Sequence, residues 1–194
     1  MTIILNIHVT CEKSLLSYFE NFYHYVASVL KDKRGWKQAG LKFVFVKTEK
    51  EADLHIQLTR NSTIEQKCNF SLLSCAFMDG SRRCFINFTR WLHGSKKSHL
   101  SLHSYRIYVI GHEIGHILGL EHAECACQIK NDKNSTNKNK NSLLCDKNTP
   151  APLMLPQTLG THACKGNSWP LQEEIKKVQI LWKQKQSLSS LNKK

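Results

Sequence analysis

His112-Glu113-Ile114-Gly115-His116-Ile117-Leu118-Gly119-Leu120-Glu121-His122 gathers three imidazoles and a carboxylate into one short run. On a helix, His112 and His116 stand four residues apart, so both rings project from one face and can share a metal ion. Gly119 can turn left-handed without steric cost, which folds the chain back and lets His122 supply a third nitrogen. Three histidines leave one tetrahedral position open for water, whose pKa falls from about 15.7 to roughly 7 on zinc. Glu113 is the adjacent proton acceptor. Ordinary helix histidines are the bland alternative, yet five fixed positions at this spacing arise by chance in roughly one chain in ten thousand. The expectation is one catalytic Zn2+ on His112, His116 and His122, with Glu113 as general base.

The run resembles the signature of the metzincin zinc peptidases, His-Glu-x-x-His-x-x-Gly-x-x-His followed by a methionine turn. The methionine would be Met154, in Pro152-Leu153-Met154-Leu155-Pro156-Gln157, where prolines flank a short apolar stretch. Residues 35–170 are similar, more closely, to a group of bacterial, often secreted, metzincin-like domains of unassigned function. That likeness rests on Gly35-Trp36-Lys37-Gln38-Ala39-Gly40, Asn87-Phe88-Thr89-Arg90-Trp91, His122-Ala123-Glu124-Cys125 and the stretch from Met154 to Gly160, with Cys164, Asn167, Trp169 and Pro170. The resemblance implies an α+β fold: a twisted, mostly parallel five-stranded sheet with an antiparallel edge strand, two long helices, and a small C-terminal lobe holding the methionine turn and a last helix. It assigns the edge strand to residues 72–78. Many metzincins carry a tyrosine just after the methionine; Gln157 stands near that place, and His162 is one substitute for a second oxyanion donor.

The chain itself reads compatibly. Residues 2–9 and 41–47 and 53–59 have the apolar, β-branched character of strands. Residues 12–33 carry a helical stripe of Leu15, Leu16, Phe19, Phe22, Tyr23 and Val26. Residues 72–78 and 84–88 flank the turn Asp79-Gly80-Ser81 as a hairpin. Residues 98–118 form the motif helix, with Ile107, Ile110, Ile114 and Ile117 toward the sheet, and residues 171–188 form a last helix with Ile175, Val178 and Leu181 inward. Residues 128–148, rich in Lys and Asn, read as a flexible insertion. A lobe of residues 1–122 and a lobe of residues 123–194 then enclose one cleft in one catalytic domain.

The 194 residues carry a net charge of +13, largely from the Lys/Asn-rich stretch and a lysine-rich tail. Arg82, Arg83, Arg90, Lys96, Lys97 and Arg106 form a further basic stretch that would favour acidic substrates, but no nucleic-acid-binding motif accompanies it. No stretch approaches the ~20 apolar residues of a membrane span, and residues 1–9 read as a strand rather than a secretory signal. An intracellular monomer without membrane or nucleic-acid partners is expected. Eight cysteines sit uneasily with a reducing compartment. The resemblance pairs Cys125 with Cys164, and Cys68 would pair with Cys75 or Cys84. Alternatively Cys125, Cys127, Cys145 and Cys164 hold a second zinc, though without paired Cys-x-x-Cys knuckles, or most thiols are free, Cys11 above all.

The function expected is peptide-bond hydrolysis by a zinc-bound water activated by Glu113, on a peptide or protein substrate. The rival is a non-catalytic zinc-binding scaffold for a protein or polyanionic partner.

Overall fold

The computed structural model describes residues 2–77, 79–127 and 148–191, without the side chains of 185–191. The expected insertion lies almost wholly outside the described residues, as do Cys145 and the last lysines.

The fold is α+β. A five-stranded sheet runs in the order β2-β1-β3-β5-β4, where β1 is Ile3–Cys11, β2 Leu41–Phe45, β3 Leu54–Thr59, β4 Cys75–Ala76 and β5 Arg83–Asn87. All pairings are parallel except the last, in which the edge strand β4 runs antiparallel to β5. In β1, Leu5, Ile7 and Val9 alternate inward, as a half-buried strand requires. Helix α1, Leu16–Lys31, buries Phe22, Val26, Val29 and Leu30 at helical spacing. Leu16, expected in that stripe, is 64 % exposed, because a 3-10 turn over Lys13–Leu15 precedes the helix and rotates its register.

Helix α4, Leu102–Ile117, carries the motif and is buried on nearly every side. It packs against α1 and β5, and its lower side meets the segment around Met154. Two glycines, Gly111 and Gly115, each just before a motif histidine, leave a strip without side chains there. Leu153 lies against the first and Met154 against the second. Helix α5, Gln172–Leu191, adds Ile175, Val178 and Trp182 to the same core as the sheet. Its Trp182 indole N–H donates to the Leu118 carbonyl at the end of α4, at 3.1 Å. Among the described residues no helix is long and apolar enough to cross a membrane.

Two short helices were not expected. Helix α2, Asn61–Cys68, buries only Ile64, so it has no apolar stripe to read. Helix α3, Phe88–His93, begins where the hairpin strand was to end, because the Asn87 side chain caps it by accepting the Arg90 N–H. The hairpin itself shrinks to two residues in β4, for Ser71 and Ser74 are drawn into hydrogen bonds with Asn87 and Leu72 is exposed.

Cys68 pairs with Cys75 and Cys125 with Cys164; Cys11 and Cys84 are free. The second pair closes a loop of sequence separation 39, worth about 4 kcal/mol on the chain-entropy account. A Cys125→Ala/Cys164→Ala variant is expected to lose about that much in a urea titration, with a steeper slope because its unfolded chain is less compact.

Candidate metal centre

The end of α4 builds the site. The Leu120 N–H bonds back to the Gly115 carbonyl and the Gly119 N–H to the His116 carbonyl, at 3.0 and 2.9 Å, the two bonds of a Schellman cap. Gly119 takes φ +102° to make that turn, a conformation an L side chain resists. The chain reverses, and His122 arrives beside the two helix histidines with ring centroids 5.3 Å from His112 and 4.8 Å from His116.

Ligating nitrogens of His112, His116 and His122 lie within 4.8 Å of one another. His112 Nδ1 is 2.8 Å from the Leu153 carbonyl and His116 Nδ1 is 2.8 Å from the Leu120 carbonyl. A carbonyl only accepts, so each Nδ1 carries the proton and each Nε2 bears a bare lone pair. Those two Nε2 atoms face each other at 3.2 Å, an arrangement that repels unless a proton or a metal cation sits between them. Two nitrogens at about 2.05 Å on a tetrahedral ion would be about 3.3 Å apart, so the spacing fits one. Burial, the largest cause in each case, lowers all three imidazole pKa values, that of His112 to about 3, and keeps the rings neutral as ligands must be. The three histidines could therefore hold a metal ion.

Glu113 is 4 % exposed, and burial pushes its carboxyl pKa up to about 8. It opens on a cleft of about 460 Å3 that also contains all three histidines. Phe70, Leu73, Phe77, Val109, Pro156 and Leu159 wall that cleft, with the Cys68–Cys75 bond holding the upper wall.

Met154 is 1 % exposed and packs against Gly115 of the motif helix. Tyr108, one turn before His112, pins the same segment: its hydroxyl donates to the Leu155 carbonyl at 3.1 Å and accepts the Gln157 N–H at 2.8 Å. Burial raises the Tyr108 pKa strongly, so it stays protonated. Gln157 does not face the cleft. Its side chain bonds Asn167 and the Pro152 carbonyl. His162 is exposed on a separate depression with Lys96, Lys97 and His99, so neither residue expected near the oxyanion lines the cleft. Nothing in the motif's spacing pointed to Tyr108, Gly115 or the two carbonyls.

Four of the six basic residues expected near the cleft are engaged elsewhere. Arg83 pairs with Glu49, Arg90 donates to the Leu72 carbonyl, Arg106 donates to the Trp91 carbonyl, and Arg82 stacks over Trp182. Cys125, Cys127 and Cys164 are buried together with sulfurs within 4.8 Å of one another. Cys125 and Cys164 are bonded as a disulfide, so that trio would offer thiolates to a metal only after reduction.

No curated protein matches the chain. Residues 2–172 match the family described as "Protein of unknown function (DUF3152)", and across most of its 194 residues this chain belongs to that family.

Proposed function

We propose that this protein is a zinc-dependent peptidase of the metzincin type, which cleaves extended peptide segments. The observation that carries the reading is the pair of Nε2 atoms held 3.2 Å apart, each with its Nδ1 against a carbonyl, beside the buried Glu113 carboxyl in an apolar cleft. Zinc bound there would supply Lewis-acid polarisation of a scissile carbonyl and a water of near-neutral pKa. Glu113 accepts the water proton and delivers it to the leaving amine, a role worth about a hundred- to ten-thousand-fold. Strand β4, at the edge of the sheet with no further strand among the described residues, offers backbone N–H and C=O groups to an extended substrate. The cleft wall, whose only carboxylate among the described residues is Glu113, favours an apolar side chain beside the scissile bond. Two disulfides among the described residues support an oxidising location over the reducing interior expected from the first residues.

The test is zinc-loaded wild type against Glu113→Ala on a mixed peptide library, read by mass spectrometry. We expect cleavage by wild type alone, with large apolar residues enriched on one side of the cut. Equal cleavage by both proteins would sink the assignment of Glu113. Cleavage by neither would favour the scaffold.

A further inference from the structure

We propose that Glu174 is a positioning residue for the metal centre, acting on the His112 imidazole through the peptide group that joins Leu153 to Met154. The inference rests on the metal-site reading above and adds a residue outside the motif. Glu174 is the third residue of α5, on the far side of the methionine turn from the cleft, and it is 5 % exposed.

Its carboxylate accepts three backbone N–H groups. Oε2 takes those of Leu171 and Leu153 at 2.7 and 3.0 Å, and Oε1 takes that of Met154 at 2.8 Å. The Leu171 bond is the ordinary reach of a third-position glutamate back to the start of its own helix. It accounts for one of the three. The other two reach a loop 20 and 21 residues earlier, and it is these that touch the site.

The Met154 N–H and the Leu153 C=O belong to one peptide group. At one end that group donates to the carboxylate; at the other its carbonyl accepts the His112 Nδ1–H at 2.8 Å. Carboxylate, amide and imidazole thus form one chain of hydrogen bonds, in which each bond polarises the next. Negative charge at Glu174 draws the amide proton, enriches the Leu153 oxygen, tightens its hold on Nδ1–H and makes Nε2 the stronger donor. A carboxylate bonded directly to a ligating histidine has this effect. Here a peptide group relays it.

The same hold extends to the third histidine. The Met154 carbonyl accepts the N–H of Ala123, the residue after His122, at 3.0 Å. His116 lies outside the relay, since its Nδ1 donates to Leu120, which has no bond to Glu174. It is an internal control.

The experiment uses the full chain with Glu174→Gln and Glu174→Asp. Zinc affinity is measured by chelator competition, and the His Nδ1–H resonances of the metal-free protein by proton NMR. In Glu174→Gln, zinc should bind about 10- to 100-fold more weakly, and the His112 Nδ1–H resonance should move upfield while that of His116 stays in place. Glu174→Asp keeps the charge on a shorter arm and should move both readouts the same way by less, which serves if the glutamine variant does not fold. A His112 resonance and zinc affinity unchanged in a folded variant would overturn the relay, however far its melting temperature falls, and leave Glu174 a helix cap. If wild type binds no zinc, the metal-centre reading fails, and the metal-free His112 resonance still decides the relay.

Discussion

Glu113→Gln is expected to remove peptide cleavage, by about a hundred- to ten-thousand-fold in kcat, and to make the metal-free protein more stable at neutral pH. The second effect follows from the first residue's surroundings. Burial raises the Glu113 pKa from 4.5 to about 8. Between those values the unfolded chain has lost its proton and the folded one keeps it, so wild-type stability falls as pH rises through that window. Glutamine does not titrate. The variant's advantage should be nil below about pH 4.5, reach about 3 kcal/mol at pH 7 and level off above pH 8. Melting curves of the metal-free proteins across pH 4 to 9 check this. A constant offset at every pH would mean that the gain comes from packing and that the carboxylate is not held protonated. On the proposed reading of Glu113 as general base, a group that destabilises its own fold is what a site built for chemistry should show.

Gly115→Ala is the second large effect. A methyl at that position would overlap the Met154 sulfur and come within 3.0 Å of Trp36 Cζ2. Trp36 is 2 % exposed and its indole is tied to the Gly111 carbonyl, so it cannot swing aside; the flexible Met154 side chain borders a cavity and can yield only by leaving its place against the helix. Either Met154 gives up that packing or the helix lifts off it, at about 3 kcal/mol. Lifting it stretches the bond from His112 to the Leu153 carbonyl, and zinc affinity should fall by about 10- to 100-fold. Chelator competition and thermal melting measure the two losses. Adding Met154→Ala should recover part of both; a double variant as poor as the single one would place the strain elsewhere. Gly119→Ala should be milder, because its Cβ meets only Leu181 Cδ1 at an ordinary 3.4 Å and the cost is the backbone turn, about 1 to 2 kcal/mol.

That ranking marks the limit of what the sequence could show. Spacing alone brought His112, His116 and His122 together and put Glu113 beside them, because a helix and one glycine turn are local geometry. Periodicity likewise located the parallel strands and the three long helices, whose apolar residues are strongly patterned. What escaped was set by partners distant in sequence. Gly115 looks like filler inside the motif until Met154 is packed on it. Glu174 looks like a surface glutamate on a helix with lysines until two loop amides close on it. Helix α2 offers one buried residue, and no stripe can be read from Ile64 alone. Leu72 was expected within the edge strand, and it is exposed because the local polar bonds of Ser71 and Ser74 take precedence over pairing.

The carbonyl that orients His112 lies 41 residues after it, and the carboxylate behind that carbonyl another 21. During synthesis the motif helix therefore leaves the ribosome well before its supporting floor, and chains emerge at about 5–20 residues per second. For the seconds in between, His112 is present without its fixed tautomer, while His116 already has the Leu120 carbonyl beside it. On the proposed peptidase reading, the nascent chain passes through the time when its own unfolded segments are most cleavable with that centre still unassembled.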